Sequence, residues 1–96
     1  MAAYVIADVK VTDPEQYKQY AALSPGAVKS AGGEFMVRGG ATEVLEGSFT
    51  PGRVVVVRFE SMQAARDFYD SALYTEARAK RAGATEHFNM YIVDGV

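Results

Sequence analysis

The chain has 96 residues, 49% of them hydrophobic, with ten basic and twelve acidic side chains and no cysteine. That length fits one compact domain, and a formal charge of −2 argues against general nucleic-acid binding, which needs a positive footprint. Without cysteine there are neither disulfides nor thiolate metal ligands, and no run approaches the ~20 apolar residues that span a bilayer.

Tyr4 to Val11, "YVIADVKV", alternates with a period of two, Val5, Ala7, Val9 and Val11 on one side and Tyr4, Ile6, Asp8 and Lys10 on the other. That is a strand. The opening residues lack a basic n-region and so do not read as a signal peptide; a soluble cytoplasmic protein is the expectation. "TDPEQYKQYAAL" then starts a helix, with Asp13 as N-cap, Pro14 at the first helical position and Gln16 completing a capping box. Tyr17, Tyr20, Ala21 and Ser24 share one face. Ser24-Pro25 resembles a second cap, so a break or kink is expected there, then a short helix through Ser30 closed by Gly32 and Gly33.

Glu34 to Arg38 reads as a second strand, with Thr42 to Gly47 a short continuation after the Gly39-Gly40 bend. Arg53 to Glu60, "RVVVVRFE", follows, and its valine run marks a central strand covered on both faces. Ser61 caps a second long helix whose core face includes Ala65, Phe68, Ala72 and either Leu73 or Tyr74, with Ser71 a possible break. The basic cluster Glu76 to Gly83 falls where that helix ends, where cations complement the helix dipole. Thr85 to Gly95 is the last strand.

The order strand, helix, strand, strand, helix, strand over residues 1–96 gives a single α+β domain. It is the ferredoxin-like βαββαβ arrangement, a four-stranded antiparallel sheet with two kinked helices on one face. Helices can cover only one side of such a sheet. Val54 and Val56 alternate with Val55, Val57 and Phe59, so both sides are apolar at the third strand. An apolar sheet face in water is a large exposed patch, and pairing with a second copy removes it, so the expected partner is the protein itself, as a homodimer.

Four features could carry chemistry. His87, Asn89 and Tyr91 share one pleat of the last strand, opposite Phe88, Met90 and Ile92; the polar row lines a pocket or faces water, and neutral His87 could act as a base near pH 7. Arg38, with Arg58 on a neighbouring strand, could hold a carboxylate in two-pronged geometry or pair with Glu34, Glu43, Glu46 or Glu60. Tyr17, Tyr20, Tyr69 and Tyr74 pack well, and one or two could project hydroxyls into a cleft. Ser71 reads as a cap rather than a nucleophile, since no G-x-S-x-G elbow is present. Phosphate loops, dinucleotide fingerprints and H-E-x-x-H are absent, and one histidine without cysteine makes no transition-metal site; neither metal nor cofactor is expected.

"VTDPEQYKQY", "GGEFMVRGGATEVLEG", "RVVVVRFES" and "ARDFYDSALYTEARAKR" together resemble, in order and over nearly the whole chain, a small bacterial family known as a domain of unknown function, number thirteen-thirty, within the dimeric α+β barrel superfamily. The resemblance implies a ferredoxin-like protomer whose sheets pair. It places family positions on Asp13, Tyr17, Tyr20, Arg38, Gly39, Gly40, Glu46 and Gly47, and on Arg53, Ser71, Tyr74 and Arg81. Two positions depart from the pattern: "FES" lacks the proline that tends to precede the second helix's cap, and Leu73 stands where a glutamate tends to precede the tyrosine. The wider superfamily includes cofactor-free monooxygenases and lactone isomerases with pockets between sheet and helices, an analogy of fold alone.

The expectation is thus a cofactor-free protein holding a small anionic or aromatic molecule between sheet and helices, with a reaction of monooxygenase or isomerase type as the chemistry it could perform. Its catalytic candidates are His87, Tyr17 and Tyr74, and its ligand-binding candidates Arg38, Glu46, Ser71, Arg81 and Asn89. The alternative is a non-catalytic structural or interaction homodimer in which Arg38 pairs with Glu46 or another acid and no pocket exists. Neither reading has nucleic acid or membrane as partner.

Overall fold

A computed structural model describes all residues, 1–96. The elements are β1 (Ala3–Val11), α1 (Pro14–Ser30), β2 (Glu34–Arg38), β3 (Arg53–Phe59), α2 (Met62–Asp70), α3 (Ala72–Lys80) and β4 (Thr85–Asp94). The strands form one antiparallel sheet in the order β2-β3-β1-β4. The fold is α+β and ferredoxin-like, a sheet with one helical layer, and the Cα atoms span 33 × 33 × 16 Å. No helix is long and apolar enough to cross a membrane.

The alternation of β1 sets the layers. Val5, Ala7 and Val9 face the helices and are at most 3% exposed, while Tyr4, Ile6 and Asp8 lie on the other side. Register carries the same split to β3, where Val57 pairs with Val5 and Val55 with Ala7, and to β4, where Ile92, Met90 and Phe88 pair with Val5, Ala7 and Val9. Against this floor pack Tyr17, Tyr20 and Val28 of α1, Phe68 of α2 and Tyr74 of α3. Phe59, Phe68 and Tyr74 are all but fully buried, with the last two ring centroids 4.4 Å apart. The opposite face carries Ile6, Val54, Val56, Tyr91 and Val93 with no layer over it; Tyr91 is 53% exposed.

Four local expectations are corrected. α1 runs unbroken through Pro25; proline removes the donor for the carbonyl of Ala21, but Ala21 is exposed to water, so the loss is tolerated and Ser24 does not cap. Residues 42–47 form no strand, because β2 is the outermost strand and past Arg38 the chain has no neighbour to pair with. Gln16 makes no capping box: its side-chain amide donates to the carbonyls of Lys80 (3.2 Å) and Ala82 (2.5 Å), while Asp13 N–H donates to Ala84 O. The start of α1 is thereby tied to the end of α3.

The fourth correction concerns the second helix. The chain does break at Ser71, giving α2 and α3 and so three helices in the layer. Ala72 is exposed and Leu73 half exposed, whereas Tyr74 and Ala77 are fully buried. Asp13 and Ser61 cap their helices as expected, accepting from Gln16 N at 3.1 Å and Ala64 N at 3.0 Å.

Candidate functional site

A narrow cavity lies between α1 and the helix-facing side of β1, β2 and β3. Its walls are mostly apolar and aromatic, with Phe35, Val55, Val57, Phe88 and Met90 on the sheet side and Val28 on α1. Polar atoms come from few residues: Tyr17, Tyr20 and Ser24 of α1, Tyr74 of α3, Arg38 of β2 and Arg53 of β3. The cavity is small, about 50 Å³, room for a few waters.

The two arginines reach the cavity for different local reasons. Arg53 shares its pleat with Val55 and Val57, since it pairs with the inward-facing Val9. Arg38 faces the same way because a register shift between Phe35 and Val37 re-aims the end of β2, setting Arg38 opposite Val55. Its guanidinium lies 4.5 Å from the centre of the Phe35 ring. Gly39 then turns the chain with φ +72, and a Cβ there would stand 2.8 Å from Nε of Arg53. Glycine at this bend therefore serves both the backbone and the seat of the neighbouring guanidinium.

Neither arginine is neutralised. The ion pairs of the molecule are Lys10–Glu86, Lys18–Glu15, Arg66–Asp70 and the Asp8–His87 contact, and none involves Arg38 or Arg53. Both are exposed at their outer ends, so two free cations sit over an apolar slot.

The phenols beneath them stay protonated. Burial raises the Tyr17 hydroxyl above its ordinary pKa of 10.0, with the Arg53 and Arg81 cations pulling the other way. Burial raises Tyr20 further, and the neighbouring Tyr74 adds to it. The Tyr20 and Tyr74 hydroxyls are 2.7 Å apart, and Tyr74 Oη lies 3.9 Å from Met90 Sδ. Tyr17 and Tyr20 are therefore hydrogen-bond donors at neutral pH, and no carboxylate or imidazole lines the cavity.

Of the residues expected to form a site, the fold gathers Tyr17, Tyr74 and Arg38 at this cavity. The others lie elsewhere. His87 and Asn89 are on the opposite sheet face, where Nε2 of His87 is 3.1 Å from Asp8 Oδ1, which also accepts from Gly52 N at 3.0 Å. Glu46 is exposed on the connection between β2 and β3, with no ion pair to Arg38. Ser71 is occupied at the helix break, its hydroxyl donating to Phe68 O and accepting from Tyr74 N. Arg81 stacks on Phe88, its guanidinium carbon 3.6 Å from the ring centre, and lines a separate groove on the other side of that ring. Arg53 and Ser24 were not among the candidates. Arg53 was findable, since it alternates in phase with Val55 and Val57.

The comparisons with known proteins agree with this architecture. A protein of unknown function from Rhodopseudomonas palustris superposes with a TM-score of 0.76 at 19% identity, over 99% of this chain and 82% of its own. A dimeric ferredoxin-like protein of unknown function from Jannaschia sp. CCS1 also gives 0.76, at 10% identity, over 99% and 100%. A candidate antibiotic biosynthesis monooxygenase from Caulobacter crescentus gives 0.64 at 20% identity, over 99% and 90%. At these identities the likeness is one of fold. No curated protein matches the chain. Over residues 2–96 the sequence matches the domain of unknown function DUF1330, and the chain belongs to that family.

Proposed function

We propose that this protein binds a small planar carboxylate, an aryl carboxylate above all, in the cavity between α1 and the sheet. The observation that carries the reading is the pair of unneutralised guanidiniums, Arg38 and Arg53, over an apolar slot floored by aromatic rings. A guanidinium holds a carboxylate through paired N–H donors. The ring of the ligand lies among Tyr20, Phe35 and Phe88, and the Tyr17 hydroxyl donates to a ligand oxygen.

Any chemistry there is polarisation by donors, because no lining side chain accepts a proton near pH 7. Two structural neighbours are described as candidate antibiotic biosynthesis monooxygenases. A cofactor-free reaction of that kind in this cavity would take its proton acceptor from the substrate or from water.

The working unit is a homodimer formed through the open sheet face. Ile6, Val54 and Val56 form an apolar band with no cover in the protomer, and structural neighbours are described as dimeric. The test is a thermal-shift series with benzoate and its ring-substituted relatives on the intact protein, beside the Arg38→Gln/Arg53→Gln variant. Stabilisation that rises with ligand concentration and vanishes in the variant is the expected result. Equal stabilisation of both proteins, or none across the series, overturns the reading.

A further inference from the structure

A second groove, lying along β4 beneath α2 and α3, is larger and differently built. Its open space is about 830 Å³, within the range of pockets that hold small organic ligands. The floor is apolar, formed by Val5, Phe88, Met90 and Ile92, and the rim is basic, with Arg66, Arg78 and Arg81. β4 is an outer strand, so the groove opens along the sheet edge.

The rim arginines are not equivalent. Arg66 is spoken for by Asp70 at 3.0 Å. Arg78 and Arg81 have no carboxylate partner. Arg78 lies over the Tyr69 ring at 4.2 Å and gives one Nη to the Tyr69 hydroxyl at 2.9 Å; Arg81 lies over Phe88 at 3.6 Å. In both, Nε is sealed from water with no acceptor. Two cations are therefore held in place by aromatic faces, partly desolvated, with no anion to offset that cost. A guanidinium has five N–H donors, so free donors remain on the outer nitrogens of each. Both side chains are half-buried, and a partly desolvated cation gains from an anionic partner, which these two lack.

We propose that this groove is an anion site distinct from the inner cavity, taking a carboxylate carried on an apolar chain. The carboxylate sits on the outer nitrogens of Arg78 and Arg81, and the chain runs over Met90 and Ile92. The proposal does not depend on the aryl carboxylate reading, because the two spaces use different arginines and are separated by Phe88 and Met90.

Octanoate and inorganic phosphate are the probes, titrated calorimetrically into the intact protein. Octanoate is expected to bind, and phosphate to bind at least tenfold more weakly, because it gains nothing from the apolar floor. Arg78→Gln should weaken octanoate by about tenfold, the worth of a charge-assisted hydrogen bond, and Arg38→Gln/Arg53→Gln should leave it unchanged. Arg78 also packs on Tyr69, so Thr75→Trp, an exposed groove residue turned into a plug, gives an independent arm that spares the core. It should abolish octanoate binding at unchanged melting temperature.

Octanoate that fails to bind at millimolar concentration overturns the proposal. So does octanoate binding that survives Thr75→Trp, or that is lost with Arg38 and Arg53 instead; that last pattern would assign the ligand to the inner cavity. Phosphate binding as tightly as octanoate reduces the site to bare charge and overturns the ligand class.

Discussion

The hydroxyls of Tyr20 and Tyr74 meet at 2.7 Å in the core, joining α1 to α3 where both rings are buried. The contact fixes the distance between two helices above the cavity, and its energy is accessible to measurement. Tyr20→Phe leaves the Tyr74 hydroxyl with only the long contact to Met90 Sδ, so it should cost roughly 1–3 kcal/mol, the penalty of a buried polar group left unsatisfied. The double variant with Tyr74→Phe should cost less than the sum of the singles, because no orphan remains. Urea unfolding of the four proteins closes the cycle; strict additivity would refute the coupling.

The same burial makes the native protein sensitive to alkali. Tyr17 and Tyr20 are raised above 10.0 in the folded chain and return to that value on unfolding. Their contribution to stability is therefore complete below about pH 10 and is lost as pH rises above it, since only the unfolded state releases those protons. Ultraviolet titration of phenolate should show these two tyrosines ionising later in the folded protein than in the urea-unfolded chain, and abruptly when the fold gives way. Identical titration in the folded and unfolded proteins would be the contrary result.

At the mouth of the cavity, the single variants Arg38→Gln and Arg53→Gln should each reduce benzoate affinity by about tenfold, the loss of one charge-assisted hydrogen bond. Melting temperature without ligand should move by no more than a few degrees, because both side chains are exposed at their ends. Titration calorimetry on the two variants separates them from the double replacement.

Self-association has its own test. Val56 lies on the open face of β3, opposite Ile6 of β1. Val56→Lys puts a charge in the middle of that apolar band and should turn a dimer into a monomer in sedimentation experiments at micromolar concentration. A variant that remains dimeric would place the interface elsewhere.

Asp8 accepts from both Gly52 N and His87 Nε2, so it holds the end of the long β2–β3 connection against the sheet. Asp8→Ala should cost about 1 kcal/mol and raise hydrogen exchange at the Gly52 amide while leaving β1 protected. Unchanged exchange at Gly52 would show that the turn is held by its backbone alone.

The frame of this fold was legible where one periodicity decides the matter. The alternation of β1 and the valines of β3 fix two layers, and Asp13 and Ser61 announce their helices. The exceptions have physical causes that act across the chain. Pro25 stays within α1 because the carbonyl it orphans is at the surface, and Gln16 abandons its own helix end for carbonyls sixty-odd positions away. Residues 42–47 have a strand's composition and no strand to pair with.

The candidate site was half legible. Arg38, Tyr17 and Tyr74 are conspicuous by type, but their convergence with Arg53 depends on a register shift in β2 that no local pattern displays. β4 has a polar row, His87, Asn89 and Tyr91, and an apolar one, Phe88, Met90 and Ile92, but a polar row can line a pocket as well as face water; pairing with β1 turned His87 and Asn89 outward.

The interruption at Ser71 has a geometric consequence. Phe68 and Tyr74 are six positions apart, which on an unbroken helix would point them about 120° away from each other. With the break they stack face to tilted face, 4.4 Å between centroids. The serine resets the angular phase of the chain, so that two nine-residue helices each deliver a ring to the same point. The Ser71 hydroxyl serves both helix ends at once, donating to Phe68 O and accepting from Tyr74 N, so one side chain secures the turn that sets Tyr74 over the cavity.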